Sequence, residues 1–225
     1  MKGKLIIIES GTDGSGKATQ AELLYEKIIA TNENVKKITF PNYESDSSAL
    51  VKMYLNGHFG NNPTDVNPYV ASSFYSVDRF ASYKTEWEDF INNGGIIISD
   101  RYTTSNMVHQ ASKITNKVDK DKYLDWLWDF EFNKFNLPIP TCVVFLNMPP
   151  EHTQTLMENR VNKITGEVEK DIHEKDERYL INSYNNALYI AEKYSWIMVN
   201  CIENGQIRTV ESINAEIVEI VMKFL

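Results

Sequence analysis

The sequence predicts an α/β fold, a five-stranded parallel sheet with helices on both faces. Three observations carry this. Five short apolar runs recur along the 225 residues, each bounded by turn residues. Amphipathic stretches of helical period lie between them. The first run also leads through a glycine-rich loop straight into the first helical stretch. Strands alternating with helices give a layered sandwich. Continuous rather than alternating apolar runs suit strands buried on both faces.

The elements follow in order. Leu5 to Ile8 is the first strand, with three isoleucines in succession. Ala18 to Ala30 is the first helix, with Ala21, Leu24 and Ile28 on one stripe. Val35 to Phe40 is the second strand, after the polar turn Thr31 to Asn34. Pro68 to Ile91 can carry a long helix, with Phe74, Val77, Ala81 and Trp87 spaced for one face. Ile96 to Ser99 is the third strand, entered through Asn92, Asn93, Gly94 and Gly95. Tyr123 to Phe135 reads as an aromatic-rich helix. Cys142 to Leu146 is the fourth strand, after Pro138 and Pro140. Ile181 to Tyr194 is an amphipathic helix, Trp196 to Cys201 the fifth strand, and Ser212 to Phe224 the closing helix. No repeat or interdomain linker interrupts the chain, which is read as a single domain over 1–225. The polar stretch Asn159 to Asp176 is the least core-like segment and is read as a candidate lid.

Composition narrows the functional classes. Hydrophobic residues make up 42% of the chain, a globular value. The formal net charge of −8 gives no global attraction to a nucleic acid polymer or an anionic membrane. A polyanionic ligand must therefore be held by local donors. No apolar run is long enough to span a bilayer, and Glu9 ends the first run too early for a signal peptide. The two cysteines, Cys142 and Cys201, lie far apart in apolar runs, with neither a disulfide nor a zinc spacing. A cytoplasmic protein is expected.

GTDGSGKA, at Gly11 to Ala18, follows the first strand and opens the first helix. That context identifies a phosphate-binding P-loop. Gly11, Gly14 and Gly16 are expected to free the backbone where a Cβ would oppose it. The N–H groups of Gly11, Thr12, Asp13, Gly14, Ser15, Gly16, Lys17, Ala18 and Thr19 would then surround the phosphates, aided by the helix dipole. Lys17 supplies a point charge for the β- and γ-phosphates of a nucleoside triphosphate. One position departs from the pattern. The residue after the lysine is normally a Ser or Thr whose hydroxyl ligates Mg²⁺, and here it is Ala18. Thr19, one residue on, is rotated by about 100° on a helix and cannot simply substitute.

Asp100 and Arg101 end the third strand, where open parallel sheets place their ligands. They should therefore share a crevice with Lys17. A carboxylate there can hold Mg²⁺ through water, and a guanidinium can clamp a phosphoryl group. His109 and His173 have no partners at metal spacing and read as ordinary polar residues.

With these segments in view, the chain resembles the thymidylate kinase family, a P-loop NTPase fold of the nucleoside monophosphate kinase type. The resemblance is carried by GTDGSGKATQ (11–20), FPNY (40–43), YSVDR (75–79), DRYTTSN (100–106), LPIPTCVVFLNMPPE (137–151) and NRVNKITGEVEKDIHEKDERY (159–179). It implies transfer of a phosphoryl group from ATP to thymidine monophosphate, with Mg²⁺, in a homodimer built by packing helices. Residue by residue, it implies that Lys17 binds the ATP phosphates and that Asp13 approaches the acceptor's 3′-hydroxyl. Tyr75 would stack on the base, and Arg79 would hydrogen-bond it. Arg101 would bind the acceptor phosphate, and Asp100 would order the magnesium shell. Ser105 and Gln110 would line the base pocket, Tyr179 would lie near the deoxyribose, and Tyr43 would join the acceptor site. Arg160 is the preferred lid cation, ahead of Lys163 and Lys170.

The general chemistry of these groups agrees. An aromatic face suits a pyrimidine ring, and an arginine donor suits the O4 acceptor of thymine over the amino group of cytosine. Many family members also carry an arginine just after Phe-Pro, whereas here Asn42 and Tyr43 follow Phe40-Pro41. Lys36 or Lys37 would be the nearest replacement cations, without support from strand geometry. Two alternatives remain at this point: a kinase for another nucleoside monophosphate, and a nucleotide-binding protein with little turnover.

Overall fold

The computed structural model describes residues 3–157 and 177–225. The expected lid, Asn159 to Asp176, lies outside the described residues. Five parallel strands form one sheet: β1 (Lys4–Ser10), β2 (Val35–Thr39), β3 (Ile96–Asp100), β4 (Cys142–Asn147) and β5 (Ile197–Asn200). Their spatial order is β2-β3-β1-β4-β5, with β1 at the centre. Ile8 is level with Asp100, so β1 and β3 end side by side and deliver the glycine-rich loop next to Asp100. A small antiparallel hairpin follows, β6 (Ile202–Glu203) and β7 (Gln206–Ile207).

Nine helices flank the sheet among the described residues: α1 (Lys17–Ile29), α2 (Ala49–Leu55), α3 (Pro68–Ser82), α4 (Glu88–Asn92), α5 (Thr103–His109), α6 (Lys117–Trp128), α7 (Pro150–Met157), α8 (Glu177–Lys193) and α9 (Val210–Met222). None is long and apolar enough to cross a membrane.

Two cores lie on the two faces of β1, because successive side chains alternate across a strand. Ile6 and Ile8 join Ala21, Leu24 and Ile28 of α1 and Ile213, Ile217 and Val221 of α9. Leu5 and Ile7 join Trp87, Ile91, Tyr123, Leu124 and Leu127. Each fully buried aliphatic side chain contributes about 1.5–3 kcal/mol, and this double burial is why the strand reads as a continuous apolar run.

The edge strands correct the expectation of burial on both faces. In β2 only Val35 is buried, while Lys36, Lys37 and Thr39 are exposed. In β5 only Val199 is buried. An edge strand has one neighbour and less cover, and lysines there discourage pairing with another chain.

The long helix also differs from its expected face. α3 and α4 are joined by a π turn over Tyr83–Trp87, and Pro68 starts the run after Asn67, whose Oδ1 accepts from Tyr69 N at 2.9 Å. Val77, on that apolar stripe, is exposed, and the enclosed face of α3 carries Ser72, Ser76, Asp78, Arg79 and Ser82. This face packs against polar site residues rather than aliphatic core. α6 starts earlier than expected, at Lys117, because Asn116 caps it by accepting from Asp119 N at 3.1 Å. It runs on as a second π turn, Asp129–Lys134.

Candidate active site

The loop between β1 and α1 is shaped by two left-handed glycines, Gly14 (φ 76°) and Gly16 (φ 86°), the latter at the N-cap of α1. Gly11 serves a different purpose from the one expected. Its φ is not positive, but a Cβ there would lie 2.9 Å from Tyr184 Cα and 3.2 Å from Ala187 Cβ. It is small because α8 packs directly behind the loop.

Lys17 is enclosed at 5% exposure and folds back into the loop. Its Nζ donates to Ser10 Oγ at 2.6 Å and Thr12 O at 2.9 Å, and lies 3.9 Å from Asp13 Oδ1. Burial, and then the positive charge of Arg101, bring its pKa down to about 8. Ala18 and Thr19 are both exposed at the start of α1, so neither provides an enclosed hydroxyl.

Asp100 and Arg101 meet this loop as expected. Arg101 has φ 71°, an uncommon conformation for a residue with a side chain. Its Nη2 donates to Asp13 Oδ1, and its Nη1 lies 3.3 Å from His109 Nε2. Burial would depress the guanidinium, but Asp13, Glu9 and Asp100 more than offset this and hold it firmly charged. Asp13 thus stands between two cations. Asp100 is also enclosed, and its Oδ1 has no hydrogen-bond partner among the described residues. The same holds for Thr12 Oγ1 and Gln110 Oε1. Orphaned buried polar atoms are rare in folded proteins.

His109 is a correction. Expected as an ordinary polar residue, it is buried against Arg101 and stacks on Tyr179, with ring centroids 6.4 Å apart. A guanidinium can only donate, so Nε2 accepts and the ring proton sits on Nδ1. Burial and then Arg101 depress its pKa to about 3, so it stays neutral. Tyr179 is buried and donates to His109 O at 3.0 Å.

Glu9 was missed as a site residue. Fully buried at the end of β1, it accepts from Thr104 Oγ1 at 2.8 Å and Ser105 Oγ at 2.6 Å. Ser105 is therefore tied to β1. An acid at the mouth of the glycine loop was the available signal.

The residues expected around the base fall into two groups. Tyr75 sits half-buried with Tyr43 and Phe74 in a satellite cluster, edge-on to Tyr54 at 6.4 Å. Tyr43 is close enough to Arg101 for their electrostatics to couple. Arg79 is enclosed, at 1% exposure, and forms a buried ion pair with Glu131. Neither β2 lysine replaces the missing arginine, since Lys37 pairs with Glu22 and Lys36 lies over the Phe90 ring. Arg160, Lys163, Lys170 and His173 lie outside the described residues.

Such an arrangement can bind two phosphate groups side by side. One would lie on the loop and α1, the other against Arg101, with Asp100 between strand ends. Comparison with known proteins gives the family. A family model described as Thymidylate kinase matches residues 8–213. The chain is 32% identical over 154 residues to a thymidylate kinase of Schizosaccharomyces pombe, covering 68% of this chain and 65% of that one. It is 27% identical over 222 residues to a thymidylate kinase of Plasmodium falciparum, covering 99% and 91%. In fold it matches the thymidylate kinase structure from Candida albicans with a TM-score of 0.72 at 22% identity, over 99% of this chain and 92% of that one. With a family match that runs from the end of β1 into α9, the chain belongs to the thymidylate kinase family.

Proposed function

We propose that this protein transfers the γ-phosphoryl group of ATP to thymidine 5′-monophosphate, giving ADP and thymidine 5′-diphosphate. The observation that carries this reading is the meeting of Lys17, Asp13, Asp100 and Arg101 at the adjoining ends of β1 and β3. Asp13 pairs with both cations. Phosphates entering the crevice would take its place against Lys17 and Arg101, leaving its carboxylate for the acceptor sugar. The acceptor phosphate is already anionic, so no general base is needed. Its oxygen attacks the γ-phosphorus in line, and the bond to the β-phosphate oxygen breaks. Lys17 holds the donor phosphates, Arg101 orients the acceptor phosphate, and neutral His109 holds the Arg101 plane. Catalysis is then positioning and charge neutralisation.

A divalent cation fits this donor set. The orphaned Asp100 Oδ1 is a hard oxygen donor, and Mg²⁺ typically takes one or two carboxylates plus phosphates and water. When bound, Mg²⁺ would neutralise charge on the donor phosphates.

A panel of monophosphates in an ADP-release assay tests the reading. Turnover is expected with thymidine monophosphate, at least about tenfold above the cytidine and purine forms. Preference for another acceptor would discard the base assignment. Nucleotide binding without turnover would favour a binding-only protein.

We further infer a homodimer in the cytoplasm. Val70, Val77 and Phe80 expose 48%, 47% and 38% of their surface along one stripe of α3, an apolar face that a second copy would cover. Two buried free cysteines suit a reducing compartment. The expected solution mass is twice the 25.9 kDa chain, falling to one chain on Val77→Glu. A monomeric native protein would rule the dimer out.

A further inference from the structure

Glu131 carries no motif, yet it is fully buried in the π turn after α6 and collects four donors. Ser76 Oγ at 2.7 Å and Arg79 Nη2 reach Oε1. Arg79 Nε at 2.8 Å and Thr103 Oγ1 at 2.5 Å reach Oε2. A carboxylate offers about four acceptor sites, so these donors saturate it. It has no capacity left for a substrate or a metal. What it does is fix Arg79. Side-on pairing locks the guanidinium plane and consumes the Nε–Nη2 edge. The remaining Nη1 lies 3.5 Å from Tyr102 O, beside Arg101 in the chain. Burial alone would depress Arg79, and Glu131 more than restores its charge. The four donors come from the two segments that bound the acceptor site. Ser76 and Arg79 lie on α3 with Tyr75, and Thr103 follows Arg101 by two residues. π turns recur at functional sites, and this one brings a carboxylate to both segments at once.

We propose that Glu131 is the positioning residue for acceptor recognition, holding the Nε–Nη2 edge of Arg79 so that Nη1 is presented to the pyrimidine. The inference rests on the reading of Arg79 as the base contact. A glutamine at 131 keeps the shape but turns an amide donor toward a guanidinium that can only donate. The arginine would then lose its fixed plane.

Steady-state kinetics of Glu131→Gln, Glu131→Asp and Arg79→Met test this, with thymidine and cytidine monophosphates as acceptors. Glu131→Gln is expected to raise the KM for thymidine monophosphate at least about tenfold, with a matching loss of preference over cytidine monophosphate. The KM for ATP should stay within about twofold and kcat within about threefold, because neither donor site nor phosphate clamp touches Glu131. Glu131→Asp keeps the charge and should retain much of the preference. It also provides the reading if the glutamine variant does not fold, when a loss of preference smaller than that of Arg79→Met is expected. An equal rise in both KM values, or unchanged acceptor preference in the variant that folds, overturns the proposal. If Arg79→Met itself leaves the acceptor KM and preference unchanged, the base-contact reading fails first and the proposal falls with it. A strong Arg79→Met effect beside an inert Glu131 leaves that reading standing and sinks the proposal alone.

Discussion

The Lys17→Met protein is expected to lose at least about a thousandfold in turnover and, without nucleotide, to melt higher than the native protein. The loss follows from removing the enclosed cation of the phosphate loop. The gain follows from the same enclosure. Lys17 drops from 10.5 to about 8 on folding, so the unfolded chain binds its proton more tightly. That costs stability in full below pH 8 and ceases to cost as pH rises toward 10.5. A shift of this size corresponds to about 3 kcal/mol. The two hydrogen bonds to Ser10 and Thr12 return about 2 kcal/mol of it. A net gain of about 1 kcal/mol should remain near neutral pH, and it should fade on titration to pH 10. Thermal melts at several pH values read the stability, and an ADP-release assay reads the turnover. A lower melting point across the whole range would mean that the buried charge is fully compensated. Near-native turnover would remove Lys17 from the mechanism.

Arg101→Met should reduce kcat/KM for the acceptor by about 10²–10⁴, while the KM for ATP changes by less than about threefold. Arg101 is held by the Asp13 side chain on one side and His109 on the other. Its removal also withdraws a charge that lowers the Lys17 pKa, and Asp13 can then serve Lys17 alone. The donor site should therefore survive. Varying each substrate separately checks this, and equal damage to both substrates would contradict a role confined to the acceptor phosphate.

Much of this site was legible because its parts are local. Gly11 to Lys17 forms one uninterrupted motif, and Asp100-Arg101 sits at a strand end, where topology alone predicts a ligand. The central strands were legible for a similar reason, since burial on both faces leaves an unbroken apolar run. The edge strands were not, because a run of residues does not reveal how many neighbours a strand will have. Helical spacing puts Val77 on an apolar stripe, but spacing alone cannot tell a stripe that faces the core from one that faces outward. Glu9 and Glu131 escaped for another reason. Their roles depend on partners far along the chain, such as Glu131 with Ser76 and Arg79, 55 and 52 residues away. No local pattern of residues announces a contact of that kind.

The close approach of Gly11 to α8 has a wider consequence. The phosphate loop has a back wall as well as a mouth, and Tyr184 and Ala187 are that wall. Enlarging Ala187 would press on the loop from behind without meeting a nucleotide. Inheritance at these positions is therefore linked: the loop can keep its glycine only while the helix keeps its small, close face, and neither surface can drift alone.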